Sequence, residues 1–174
     1  MIRIRPEQPE DIPAIHLLNE RAFDTPAEAD LVDRLREEVE PFISLVAVDD
    51  SLDGGGVVGH ILFTPVTIEP AVPDLRLCGL APMAVLPEHQ RQGIGSLLVE
   101  AGLSASYIAG FHAAVVLGHP EFYPRFGFEP AAPRGITSRY DVGPAYFMVL
   151  DLVEGGPQGV HGVINYHPIF DAPD

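Results

Sequence analysis

A pair of glycines at a strand-to-helix junction is the feature that most limits how this chain can fold. The stretch Leu75–Leu86 is apolar enough for a buried strand, and apolar residues recur at helical spacing from Ile94 to Ile108. Gly93 and Gly95 lie between the end of the predicted strand and the start of the predicted helix. A helix start leaves its first N–H groups without intrahelical partners, and glycine removes the Cβ atoms that would keep a ligand away. The junction therefore predicts a phosphate-binding loop.

Two common phosphate-binding loops do not fit this junction. A dinucleotide fingerprint needs a third glycine three positions after Gly95, where this chain has Leu98. A P-loop needs lysine, and all ten basic residues here are arginine. The 25 acidic residues give a net charge of −15, which disfavours nucleic acid and anionic membranes as partners. A diphosphate would have to be held by local geometry, with Arg91 as a cation at the rim of the loop.

The order of the predicted elements indicates a mixed sheet with helices on its faces. Helical patterns between 9 and 23 and between 27 and 39 follow a first short strand. Three predicted strands, 43–48, 57–68 and 75–86, then follow one another with short connections of the kind found in hairpins. Strand–helix–strand units come later in the chain. This order predicts an α/β or α+β fold.

Cysteine content and hydropathy exclude several other classes. The single cysteine, Cys78, excludes an intramolecular disulfide and a cysteine-based zinc site. No apolar run reaches the ~18 residues of a membrane span, and the N-terminus lacks the apolar core of a signal peptide. We expect a soluble cytoplasmic protein. Because no two histidines show the H-x-x-x-H spacing, we expect no metal site.

Two motifs carry a resemblance to a known family. Residues 82–95 read Pro-Met-Ala-Val-Leu-Pro-Glu-His-Gln-Arg-Gln-Gly-Ile-Gly. They resemble the acetyl-CoA motif of the GCN5-related N-acetyltransferases (GNAT), which is Gln/Arg-x-x-Gly-x-Gly/Ala after a strand ending in Val-x-Pro. Gln90, Gly93 and Gly95 stand at its fixed positions. Residues 123–128, Tyr-Pro-Arg-Phe-Gly-Phe, are similar to the family's Tyr-x-x-x-Gly-Phe.

The resemblance implies the fold and the partners of the family. The fold is a mixed, mainly antiparallel sheet of about seven strands flanked by about four helices, with a splayed strand pair forming the acyl-CoA cleft. We expect a GNAT domain in residues 1–152 and a C-terminal extension, 153–174, packed on that domain or on a partner subunit. Gly118-His119-Pro120 and the Tyr166–Phe170 tail are similar to a subgroup of predicted N-acetyltransferases. The implied acceptor is a small-molecule amine or an amine of a peptide or protein, and a homodimer is possible.

The resemblance also implies roles for individual residues. Backbone groups of 83–85 would pair with the pantetheine arm, and the N–H of Val85 would polarise the thioester carbonyl. Tyr123 matches the family's general acid, which protonates the departing thiolate. The N–H groups of 92–96 would hold the diphosphate, with Gln90 and Arg91 at its edge. The implied CoA-binding residues are Met83, Ala84, Val85, Gln90, Arg91, Gln92, Gly93, Ile94, Gly95 and Ser96.

The general base is the point at which the sequence departs from the family. Many members carry a glutamate on the strand before the loop, but residues 75–86 contain no carboxylate. The candidates are His119, Glu121, His60 and Glu28, and His119 joins Tyr123 and Val85 among the predicted catalytic residues.

The predicted function is N-acetyltransfer from acetyl-CoA to an amine, by direct attack in a ternary complex. One alternative is a catalytically idle module that binds or senses acyl-CoA. Another is an acyltransferase that uses longer acyl-CoA or acyl carrier protein donors.

Overall fold

The computed structural model describes residues 1–53 and 55–171, in which nine strands and three α-helices lie. None of these helices is long and apolar enough to cross a bilayer. The helices are α1 (Ile12–Phe23), α2 (Ala27–Glu38) and α3 (Ile94–Ile108). The strands are β1 (Ile2–Pro6), β2 (Ile43–Asp49), β3 (Gly56–Glu69), β4 (Leu77–Val85), β5 (Ala113–Leu117), β6 (Glu129–Pro130), β7 (Ile136–Ser138), β8 (Phe147–Asp151) and β9 (Gly162–Asn165).

The strands form a mixed, mainly antiparallel sheet, as predicted. Its order is β1-β2-β3-β4-β5-β8-β6, and β4 and β5 are the parallel neighbours in this path. The last strand, β9, pairs with the far end of β3 and runs parallel to β7. Both β7 and β9 are short strands that the sequence did not predict, and short 3₁₀ turns take the place of a fourth helix.

The sheet opens between its two parallel strands. Strand β5 runs beside β4 only from Leu77 to Leu80, whereas β4 continues to Val85 with β3 as its partner on the other side. The second half of β4 therefore has a free edge, and this opening positions the site described below.

Two helices, α1 and α2, cover one face of the sheet, and α3 covers the other. Neighbouring residues of a strand point to opposite faces, so Ile61 and Leu62 of β3 enter different apolar clusters. Leu62 packs with residues of α1 and α2, whereas Ile61 packs with residues of α3. Because the apolar stripe of each helix is buried in this way, the ends of all three helices are fixed relative to the strand edges.

The C-terminal segment lies on the body of the same chain. Ile164 of β9 is fully buried, and the rings of Tyr166 and Phe170 meet edge to face at 5.2 Å. The 3₁₀ turn Pro168–Asp171 packs against α2. The boundary expected between residues 152 and 153 stays a prediction, and residues 172–174 of the expected extension lie outside the described residues.

A buried polar network joins β3 to α1 and α2. The hydroxyl of Ser44 donates to the Glu7 carboxylate at 2.5 Å, so its oxygen accepts the Nε2–H of His60 at 2.8 Å. Nδ1 of His60 then accepts from the amide of Asn19 at 3.4 Å. Arg36 closes the network with two bonds to Glu7, at 2.7 and 3.0 Å. Both ring nitrogens thus have hydrogen-bond partners that fit a neutral imidazole.

This network makes stability depend on pH. Burial lowers the pKa of His60 from 6.5 to about 4, so the folded protein binds fewer protons than the unfolded chain between these values. We expect the free energy of unfolding to fall by about 3 kcal/mol as the pH is lowered through this window. Urea unfolding at a series of pH values measures the fall. A His60→Gln variant should lack it, whereas His161→Gln, at an exposed position, should retain it.

Candidate active site

A cleft of about 1300 Å³ lies where β4 and β5 diverge. Its walls are the second half of β4, the start of α3, the turn after β5, and the α1–α2 region with the C-terminal segment. The predicted site residues that it brings together are Met83, Val85, Gln90, Arg91, Gly93, Ile94, Gly95, Ser96, His119 and Tyr123. Ala84 and Gln92 are not in the lining: Ala84 pairs with His60 of β3, and the Gln92 amide donates to the Glu88 carbonyl at 3.4 Å.

The start of α3 presents free backbone donors to the cleft. Gly93 precedes the helix in the left-handed region, with φ 85°. The N–H of Leu97 donates to the Gly93 carbonyl at 3.1 Å and is the first donor of the helical ladder. The N–H groups of 94–96 come before this bond, so they have no intrahelical partner and carry the positive end of the helix dipole. The site therefore attracts an anion although the protein as a whole is acidic.

The two glycines of the loop do different things. At Gly93 a Cβ atom would meet no atom of the described residues within 4 Å, and the positive φ is what requires glycine there. At Gly95 no such φ is found, and a Cβ would meet Met83 and Phe122 at 3.7 Å, an ordinary contact distance. The fold therefore tolerates a side chain at Gly95, which would occupy cleft space beside the helix start.

The free edge of β4 presents main-chain groups to the same cleft. The N–H of Leu86 donates to the Val58 carbonyl at 2.9 Å. Since bonded and non-bonded pairs alternate along antiparallel strands, Ala84 bonds to β3, and the backbone groups of Met83 and Val85 point away from it. The side-chain amide of Gln90 donates to the Val85 carbonyl at 3.0 Å, which ties the loop to this edge. No described strand pairs with β4 on this side beyond Leu80.

Tyr123 is buried among aromatic rings in the turn that lines the cleft after β5. It opens a 3₁₀ turn, Tyr123–Phe126, and its ring meets Phe122 and Phe128 edge to face at 5.0 and 5.7 Å. A Cβ at Gly118 would overlap the ring, so glycine is needed there. Burial raises the pKa of Tyr123 to about 12, and the hydroxyl keeps its proton at neutral pH.

The remaining ionisable candidates separate into two groups. His119, Glu121 and Glu28 all line the cleft. His60 is fully buried in the network behind β4 and does not line it. Cys78 is also fully buried, and burial raises the pKa of its thiol to about 12, so the thiol stays protonated.

The lining of the cleft also contains residues that the sequence analysis did not assign to the site. Phe23, Leu31, Tyr146 and Phe170 line it, from four separate segments of the chain. Leu31 was recognisable only as part of the apolar stripe of α2. Nothing local to the sequence marks the other three, since only tertiary packing brings them to the cleft.

Away from the cleft, His16, Asp30 and Asp33 place possible metal-ligand atoms within 4.8 Å of one another. His16 bonds to Asp33 at 2.7 Å and to Glu20 at 3.1 Å, so its ring nitrogens already have protein partners. The bond from His16 to Asp33 thus ties α1 to α2, and the bond from His16 to Glu20 lies within α1.

Comparison with known proteins places this geometry in a family. Residues 40–130 match the model of the acetyltransferase (GNAT) domain. The uncharacterized N-acetyltransferase YhbS of Escherichia coli K12 is 39% identical over 168 residues, which is 97% of this chain and 98% of the relative. A crystal structure of E. coli YhbS in complex with CoA has a TM-score of 0.89 at 38% identity, covering 98% of this chain and 92% of that one. A GNAT family acetyltransferase from Brucella melitensis, in complex with acetyl-CoA, has a TM-score of 0.78 at 36% identity, covering 98% and 99%.

Proposed function

The chain belongs to the GNAT acetyltransferase family, and we propose that it transfers an acetyl group from acetyl-CoA to an amine by direct attack in a ternary complex. One observation carries this proposal: the N–H groups at the start of α3 that lack an intrahelical partner, the free edge of β4 and Tyr123 all line a single cleft. The solved relatives that hold CoA and acetyl-CoA support it.

The loop residues fit the diphosphate of CoA. The N–H groups of Ile94, Gly95 and Ser96 would donate to its oxygens, and Arg91 lines the same cleft. These contacts act at short range, where they outweigh the repulsion from a net charge of −15 that solvent ions screen.

The β4 edge fits the pantetheine arm. The backbone groups of Met83 would bond to its amides as a neighbouring strand would, since the Val85 carbonyl already accepts the Gln90 amide. The Val85 N–H would donate to the thioester carbonyl and stabilise negative charge that develops on that oxygen. Bound acetyl-CoA supplies an activated acyl carbon, which the amine nitrogen attacks.

His119 is the proposed proton acceptor for the amine. An ammonium group with a pKa of ~10.4 must lose a proton before it can attack. His119 is exposed to solvent and lines the cleft, and its backbone carbonyl accepts the N–H groups of Phe122 and Tyr123 at 3.1 and 3.4 Å. The residue proposed to deprotonate the acceptor and the residue proposed to protonate the thiolate are thus joined by these backbone hydrogen bonds.

Tyr123 is the proposed proton donor to the departing thiolate. A Tyr123→Phe variant should lower kcat about 10-fold and leave CoA affinity nearly intact, since a thiolate is a good leaving group and needs only modest help. Steady-state kinetics and calorimetric CoA titration measure the two effects. Tyr107→Phe, at an exposed position on α3, is the matched control. A parallel loss of CoA affinity and turnover would indicate a structural role instead.

The overall proposal is tested with purified protein, acetyl-CoA and a panel of amines, by following CoA release. We expect amine-dependent release and calorimetric CoA binding. Tight CoA binding with no release for any amine would favour an idle binding or sensing module. No CoA binding even at millimolar concentration would refute the proposal.

A donor with a longer acyl chain is the second candidate. An apolar pocket of about 360 Å³ adjoins the cleft and shares Leu117, His119 and Tyr146 with it. Such a pocket has room for several methylene groups beyond an acetyl group. Comparing acetyl-CoA with hexanoyl-CoA as donors decides between the candidates: a higher kcat/KM for hexanoyl-CoA would favour the longer chain.

A further inference from the structure

The part of the cleft lining that comes from α1, α2 and the C-terminal segment combines apolar side chains with a carboxylate. Phe23, Glu28, Leu31 and Phe170 form this part of the lining, which we call the α2 wall. Phe170 is fixed there because its turn packs against α2 and its ring meets Tyr166 edge to face. The C-terminal segment therefore contributes directly to the cleft.

Charge is distributed unevenly over the cleft. Among the described lining residues, the arginines are Arg91 in the α3 loop and Arg125 in the Tyr123 turn, whereas the α2 wall contains no cation. Glu28 is half-buried in the first turn of α2, where the hydroxyl of Thr25 donates to its Oε2 at 3.2 Å. The described lining also contains Glu121, which precedes the turn that carries Arg125. The charge is therefore positive at the α3 loop, mixed at the Tyr123 turn and negative at the α2 wall.

An apolar wall with aromatic rings and one carboxylate suits an organic cation. Aromatic faces attract ammonium groups, and a half-buried carboxylate forms strong charge-assisted hydrogen bonds with them. The reacting nitrogen must be uncharged and close to the thioester at β4. A charge held by Glu28, on a separate element, therefore belongs to a second group of the acceptor.

We propose that the α2 wall selects an acceptor with two amines on an apolar chain, and that Glu28 binds the ammonium that does not react. The methylene chain packs on Phe23, Leu31 and Phe170, and the other amine reaches the thioester. This inference rests on the proposed acetyltransfer and names its acceptor class.

The first test compares three acceptors of one chain length: 1,5-diaminopentane, 1-aminopentane and 5-aminopentanoate. We expect kcat/KM for the diamine to exceed that for the monoamine by at least about 10-fold, with the amino acid poorest because Glu28 repels its carboxylate. Glu28→Gln should raise KM for the diamine about 10-fold and leave KM for acetyl-CoA and for the monoamine unchanged. Glu37→Gln, an exposed position on the same helix, removes the same charge as a control.

The second test is calorimetric titration of 1,5-diaminopentane into the protein without CoA, for wild type and Glu28→Gln. Diamine binding that depends on Glu28 would support the inference even if CoA release were never observed. Transfer to 1-aminopentane as efficient as to the diamine would overturn the inference while acetyltransfer stands. An equal fall in kcat for all acceptors in Glu28→Gln would also overturn it, since Glu28 would then act as the general base.

Discussion

Replacing Gly95 by Val is expected to weaken CoA binding about 100-fold while the protein stays folded. The Cβ of residue 95 enters cleft space between Met83 and Phe122 without clashing, and the branched side chain fills the space that a diphosphate needs beside the helix start. Each lost hydrogen bond to a charged group costs about 1.5–3 kcal/mol, so the loss of one or two accounts for the effect. Isothermal titration with CoA measures the dissociation constant, and thermal unfolding measures the state of the fold.

Two further variants make this result specific. Ser104→Val, at an exposed position of α3, adds a branched side chain to the same helix and should leave CoA affinity unchanged. Gly93→Ala should lower the melting temperature, because residue 93 has a φ of 85°. Unaltered CoA affinity in Gly95→Val would show that the helix start is not the diphosphate site.

The local part of the site was predictable because its signals are local. Gly93 and Gly95 stand between a strand and an amphipathic helix, and the backbone geometry of that junction follows from glycine itself. Tyr123 was identified by its motif, and its burial follows from the aromatic residues around it. The antiparallel sequence of β2, β3 and β4 followed from their short connections.

The nonlocal part was not predictable, for a physical reason. Strand β9 is four residues long and lies in a Gly-rich tail, and it forms only by pairing with β3 and β7. The place of Phe170 in the cleft depends on that pairing. The bond from the Gln90 amide to the Val85 carbonyl is likewise a contact of the folded loop, whereas the motif suggested a place beside the diphosphate. His60 interrupts an apolar strand in the sequence, and only the structure shows which partners satisfy it.

The other large effect is expected from His119→Gln, which should lower kcat about 100-fold near neutral pH, at the low end of what a general base contributes. KM for acetyl-CoA should not change, because the backbone turn that holds Tyr123 uses the carbonyl of residue 119 and not its side chain. The deficit should shrink toward pH 10, where the amine substrate loses its proton to solvent without assistance. A pH series of kcat for wild type and variant measures both features.

A control variant and the pH dependence of the deficit together show whether His119 acts as a general base or only shapes the cleft. His161→Gln changes an exposed imidazole of the C-terminal segment that does not line the cleft, and it should retain wild-type turnover. A deficit in His119→Gln that is equally large at every pH would contradict proton transfer, since high pH restores the free amine but not a lost contact. In that case Glu121→Gln, which removes the carboxylate two residues away in the same lining, becomes the variant whose deficit should shrink with rising pH.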